Sequence, residues 1–167
     1  MLPIRSCPAA AVAVATSLLV AACGGSDSTT TTIAADDDHV METAFGEPAA
    51  PGEADRTIEI VASDDFRFTP DTVTVPVGET VTFRIVNSGQ ILHDFTLGDQ
   101  ATQDEHEEEM AEMGGMTMPD EPNAVAIAAG ETKDLTRRFT EEGTVLIGCH
   151  EPGHYAAGMK GQITVKT

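Results

Sequence analysis

Positive charge is what this 167-residue chain has least of: 9 Lys and Arg stand against 28 Asp and Glu, for a formal net charge of -19. An acidic surface repels polyphosphate, which argues against nucleic acid as a partner. It suits encounter with basic proteins and holds a tethered domain off an anionic lipid surface, through long-range fields that salt screens; the other reading is that the charge only maintains solubility. Long apolar runs are missing as well. The run Ala9 to Val20 is too short to span a bilayer as a stable helix. With Arg5 ahead of it and Val20-Ala21-Ala22-Cys23 behind it, it has the form of a signal-peptide core and predicts export.

The small residues before Cys23 resemble a bacterial lipoprotein signal over residues 1–22, in which cleavage leaves Cys23 at the new N-terminus carrying the lipid. The polar run Gly24-Gly25-Ser26-Asp27-Ser28 fits that reading, which anchors the chain to the outer face of the cell membrane; in the alternative Cys23 merely ends the apolar run and the chain is secreted free. Cysteine is scarce too. Of three, Cys7 leaves with the signal and Cys23 is spent on lipid, so Cys149 is alone in the folded part and no disulfide forms there. A lone thiol in an oxidising compartment is a liability unless something such as a metal occupies it.

Residues 23–55 are Gly, Ser, Thr, Ala, Asp, Glu and Pro with few large apolar side chains, too few to bury a core, and read as a disordered acidic, Thr-rich tether. Such a coil reaches on the order of 30 Å root-mean-square. His39 within it reads as a solvated residue. From Arg56 the hydrophobic period becomes two: Ile58 and Ile60; Val73, Val75 and Val77; Val81, Phe83 and Ile85; His93, Phe95 and Leu97; Val125 and Ile127; Leu135 and Phe139; Val145, Ile147 and Cys149; Ile163 and Val165. Turn signals separate them, and about eight short strands so punctuated predict one all-β domain over 56–167, an antiparallel β-sandwich.

Residues 98–122 break the pattern, holding nine acidic residues, one His, four Met and no Lys or Arg. A Thr102-x-x-Glu105 capping box predicts a short helix running to about Met113, with His106, Met110 and Met113 on one face and Met116 and Met118 in the turn beyond. Thioethers and imidazole select soft copper, so His106, Met110, Met113, Met116 and Met118 form a candidate second copper site. The competing expectation is that the Met face caps the apolar pole of the sandwich.

The densest chemistry lies in Cys149-His150-Glu151-Pro152-Gly153-His154-Tyr155-Ala156-Ala157-Gly158-Met159. A thiolate and a thioether favour Cu(I), imidazole suits both oxidation states, and one Cys with two His and a weak Met describes an electron-transfer copper site. The loop supplies Cys149, His154 and Met159, and His93 is the best-placed second histidine. The Pro152-Gly153 turn can bring His154 back toward the sulfur. His150, adjacent to Cys149, points to the opposite side if the strand continues, which makes it the weaker competitor. Read singly, His93 fits a core histidine, His154 a solvated one and Met159 a core filler; the Cys-x4-His-x4-Met spacing shifts all three toward ligation.

The segment Pro152-Gly153-His154-Tyr155-x-x-Gly158-Met159-Lys160-Gly161, with His93-x-Phe95 and Pro76-x-Gly78-Glu79-Thr80 upstream, resembles the blue (type 1) copper proteins of the cupredoxin family, of the plastocyanin kind and especially the auracyanin-like and rusticyanin-like branch. The resemblance spans roughly residues 57–167. It implies a Greek-key sandwich, one copper ion cycling between Cu(I) and Cu(II), and a one-electron shuttle rather than an enzyme. It makes His93, Cys149 and His154 the equatorial ligands and Met159 the axial one, sets Asn87 near the site, and passes electrons through His154. Redox partners such as cytochromes or a terminal oxidase are expected, with the protein a monomer. Ile147 stands where many relatives carry an aromatic, and the acidic insert is a second departure. The alternative reading is an extracytoplasmic copper-binding protein that uses the insert for resistance or delivery. Nitrite reductase and multicopper oxidase chemistry needs further histidines or a second loop Cys, which this pattern does not supply.

Overall fold

The computed structural model describes residues 46–114, 116 and 118–167. The expected signal peptide, Cys23 and His39 lie outside them. The described strands are β1 (Glu47–Pro48), β2 (Arg56–Ser63), β3 (Arg67–Thr69), β4 (Thr72–Pro76), β5 (Thr80–Asn87), β6 (His93–Gly98), β7 (Ala124–Ile127), β8 (Thr132–Arg138), β9 (Gly143–Gly148) and β10 (Lys160–Lys166), with a 3-10 turn at Pro51–Glu53 and one α-helix, α1 (Gln100–Met113), between β6 and β7. They build two five-stranded sheets, ordered β1-β8-β5-β2-β3 and β4-β10-β9-β6-β7.

Alternation explains most of these strands. In β4, Val73 and Val75 turn inward while Thr72, Thr74 and Pro76 face out, and β10 does the same with Ile163 and Val165. The inward side chains of both sheets meet in one core, where Ile60, Val75, Val81, Phe83, Ile85, Phe95, Leu97, Ile127 and Ile163 are wholly buried. β6 is buried on both faces. Its second face lies under α1, whose Gln103 side-chain amide donates to the carbonyls of Thr96 at 3.2 Å and Leu146 at 3.5 Å.

The sandwich is all-β as expected, and the structure corrects several details. Two pairings are parallel, β2 with β5 and β4 with β10, so the sheets are mixed rather than antiparallel. Alternation sorts faces but carries no record of strand direction. β3 escapes the periodicity because Phe68 is its single inward residue. The tether ends earlier than residue 55: β1 pairs with β8, Arg137 donates to the carbonyl of Gly46, and the Asp55 amide donates to Thr80 O at 2.8 Å. Backbone pairing to a sheet edge orders that stretch without apolar side chains of its own. The insert helix forms, but its N-cap is Asp99, which accepts the Thr102 amide at 2.9 Å, so Thr102 sits in the first turn instead of capping it. Gly114, in the left-handed region at φ 62°, ends the helix.

Candidate metal centre

β6 and β9 are antiparallel neighbours, with Thr96 opposite Gly148. The start of one and the end of the other therefore lie at the same pole, which brings His93 and Cys149 together. The loop from Cys149 to Met159 is closed by its own backbone: the Cys149 amide donates to Met159 O at 3.2 Å, Met159 to His154 O at 3.0 Å and His154 to Glu151 O at 2.8 Å. Gly153 at φ 84° and Gly158 at φ 97° supply turns that a side chain would strain. The result is a triangle of donors: Nδ1 of His93 and Nδ1 of His154 are 3.3 Å apart, and Cys149 Sγ lies 3.3 Å from His154 Nδ1 and 3.8 Å from His93 Nδ1.

Bonds of about 2.0 Å to nitrogen and about 2.3 Å to sulfur, as a first-row ion makes, would separate three coplanar donors by about 3.5–3.7 Å. The triangle is already that size, so the residues fit a metal with little rearrangement. Its chemistry points to copper, since one thiolate and two imidazoles in a plane describe a type 1 centre. All three side chains are buried, His93 and Cys149 completely. Burial, reinforced by the Asp94 carboxylate, pushes the Cys149 thiol up, and burial holds both imidazoles below their usual range. The metal-free site is thus an uncharged thiol and two neutral imidazoles, and a cation entering it displaces the thiol proton.

The pattern of the copper binding proteins, plastocyanin/azurin family, matches residues 56–166. The chain belongs to that family. This cupredoxin is similar to the copper-resistant cuproprotein CopI of Rubrivivax gelatinosus, 41% identical over 128 residues that make 77% of each chain. It is 38% identical over 151 residues to the protein of the same name from Pseudomonas aeruginosa, covering 74% of this chain and 83% of that one. Among solved structures, the dithionite-reduced auracyanin of Roseiflexus castenholzii superposes with a TM-score of 0.59 at 29% identity, over 67% of this chain and 98% of that one.

Several residues that shape the cupredoxin's copper pole were not anticipated from sequence. Asp94 donates its amide to Cys149 Sγ at 3.4 Å, while its carboxylate accepts the His150 amide at 2.6 Å and the Thr96 hydroxyl at 3.1 Å. Asp64 faces Nε2 of His93 at 3.5 Å, longer than a formed hydrogen bond, and accepts the Gln90 amide on both oxygens. Phe66 lays its ring against His154, centroids 4.6 Å apart. Asn87 ends β5, and its side-chain amide donates to Ile91 O at 2.8 Å, in the turn that leads to His93, and to Ile127 O at 2.9 Å. His150 turns toward α1, its Nδ1 2.8 Å from Glu107 and its Nε2 2.7 Å from Gln103, and stacks on Tyr155. Met159, at the end of the loop, is wholly buried in the core cluster. Of the insert residues, His106, Met110 and Met118 line one small cavity; Met113 and Met116 do not, and Met116 is 64% exposed.

Burial raises the Asp94 carboxyl to about 7. An unfolded aspartate titrates near 3.9, so this group's contribution to stability is present below about pH 4 and is lost as pH rises through about 7. Relative to wild type, metal-free Asp94→Asn is expected to gain stability across that window, by up to about 4 kcal/mol. Urea unfolding at pH 4 and pH 8 checks it, and a difference that does not change with pH would contradict a neutral buried carboxyl.

Proposed function

We propose that this cupredoxin carries single electrons outside the cytoplasmic membrane, using one copper held by His93, Cys149 and His154 with Met159 as a weak axial ligand. The observation that carries the reading is the buried triangle of one sulfur and two Nδ1 atoms at 3.3–3.8 Å. Copper bound there supplies a one-electron Cu(II)/Cu(I) couple. The chain's part is to hold the donors in one arrangement: β6 and β9 fix two of them, the loop's backbone bonds fix the third, and the Asp94 amide hydrogen-bonds the sulfur. His154, 8% exposed against 0% for His93, is the ligand nearest the surface and the proposed point of exchange.

Export and a lipid on Cys23 would place the domain at the outer face of the membrane, as a monomer that meets basic redox proteins such as cytochromes or a terminal oxidase through its acidic surface. We assign it no catalysis. The two relatives named as copper-resistant cuproproteins favour a second reading, in which the same centre serves copper tolerance.

The test is voltammetry of the copper-loaded protein beside Met159→Gln. A reversible one-electron wave is expected in both. An oxygen donor favours Cu(II), and each tenfold gain for Cu(II) over Cu(I) lowers the potential by about 59 mV, so the variant is expected at least that far below wild type. An unchanged potential would remove Met159 from the site, and no reversible wave in the wild type would remove the electron-carrier reading.

A further inference from the structure

The turn between β2 and β3 carries Asp64, Asp65 and Phe66, and it belongs to the sheet opposite the one that presents His93. It nevertheless reaches both histidines of the donor triangle. Phe66 lays its ring against His154 from a left-handed backbone at φ 58°, which no other non-glycine residue adopts among those described. A bulky side chain is rarely found in that region, and such strain persists only where its surroundings hold it. Asp64 reaches the other histidine. Its Oδ1 lies 3.5 Å from Nε2 of His93, a buried nitrogen that has no hydrogen-bond partner. An unmatched polar atom in a buried place is costly, and in native proteins it calls for an explanation.

The carboxylate is held where it stands. The Ser88 amide and hydroxyl both donate to Ala62 O, at 2.9 and 3.0 Å, which fastens the turn before β6 to the end of β2. From that turn the Gln90 amide donates to both oxygens of Asp64, at 3.0 and 2.9 Å. Gly89 leaves the room, since a Cβ there would run into the Asp64 carboxylate. A neutral imidazole has one proton for its two ring nitrogens, and Nδ1 of His93 faces the triangle, so it binds a metal only with its lone pair free. A carboxylate accepts and does not donate. Beside Nε2 it therefore selects the tautomer protonated there, and its negative charge behind the ring strengthens Nδ1 as a donor. Cu(II), with the greater charge, gains more from that than Cu(I) does.

We propose that Asp64 is a positioning residue of the metal centre: it accepts the Nε2 proton of His93, sets Nδ1 as the ligating atom and biases bound copper toward Cu(II), which lowers the potential. The proposal rests on His93 being a copper ligand, and it goes beyond that reading in naming what fixes the ligand's tautomer and part of the redox balance.

Two measurements test it. Nitrogen-15 NMR of the metal-free wild type reads the His93 tautomer and needs no variant; the proton is expected on Nε2, and a proton on Nδ1 overturns the proposal. Voltammetry of the copper-loaded protein then compares Asp64→Asn with Asp65→Asn. Asparagine at 64 keeps an oxygen for the Gln90 amide, so the turn stays in place while the charge is lost. Its preference for Cu(II) over Cu(I) is expected to fall about tenfold, which raises the potential by about 59 mV. Asp65→Asn removes the same charge from the exposed neighbouring position and is expected to stay close to wild type. Equal shifts in the two variants, or none in Asp64→Asn, overturn the proposal. A wild type without a reversible wave overturns the electron-carrier reading instead. The NMR spectrum and a Cu(II) competition titration then decide for Asp64: about tenfold weaker binding by Asp64→Asn than by Asp65→Asn supports it, and equal affinities overturn it.

Discussion

Cys149→Ser is expected to abolish the intense visible absorption of the copper-loaded protein while leaving the sandwich folded. That absorption belongs to a thiolate bound to Cu(II), and no other cysteine is found among the described residues. A seryl hydroxyl is a poor copper ligand at neutral pH, so the variant should bind Cu(II) weakly or as a pale, imidazole-bound ion. The fold should survive because the backbone hydrogen bond that the sulfur accepts from Asp94 is one that an oxygen can also accept. Circular dichroism and the visible spectrum, taken on one preparation, check both halves. Retained colour would take Cys149 out of the site.

The largest effect on stability is expected from Phe95→Ala. Phe95 is wholly buried on β6, two residues from His93, with its ring centroid 5.5 Å from Phe68 and 5.9 Å from Phe83. It thus joins the strand that presents a ligand to the opposite sheet. Truncating a buried phenylalanine costs about 3–5 kcal/mol, from lost transfer energy and the cavity left behind. For a domain whose total stability is of the order of 5–15 kcal/mol, that is a large share. Denaturant unfolding of the metal-free variant measures it. A loss below about 1 kcal/mol would mean that the aromatic cluster does not hold the two sheets together.

Much of the donor triangle was legible because its parts are local. Cys149 and His154 sit in one loop whose Pro152-Gly153 turn declares the chain reversal, and His93 is marked by the alternation it shares with Phe95 and Leu97. The inward-facing strands were legible for the same reason: a period of two needs no knowledge of the partner strand. What escaped depends on partners. Parallel pairing of β2 with β5 is invisible in either strand alone. Asp64 meets His93 only because the turn before β6 folds back on the end of β2, through the Gln90 amide. Asp94 could have been suspected, since a carboxylate beside a buried histidine needs a donor; that the donors are Thr96 and the His150 amide required the fold. The insert showed its composition but not its docking. His106, Met110 and Met113 share a helical face in sequence, yet the small cavity beside the helix is lined by His106, Met110 and Met118 and not by Met113.

The central claim is that His93, Cys149 and His154 hold one copper as a thiolate electron-transfer centre. The most direct measurement is the paired visible and electron paramagnetic resonance spectrum of the Cu(II)-loaded protein before and after ascorbate. The account predicts intense charge-transfer colour with a narrow copper hyperfine splitting, bleached by ascorbate and restored on reoxidation. Weak, broad absorption with a wide splitting would contradict it, because copper would then sit on nitrogen and oxygen donors without the Cys149 thiolate.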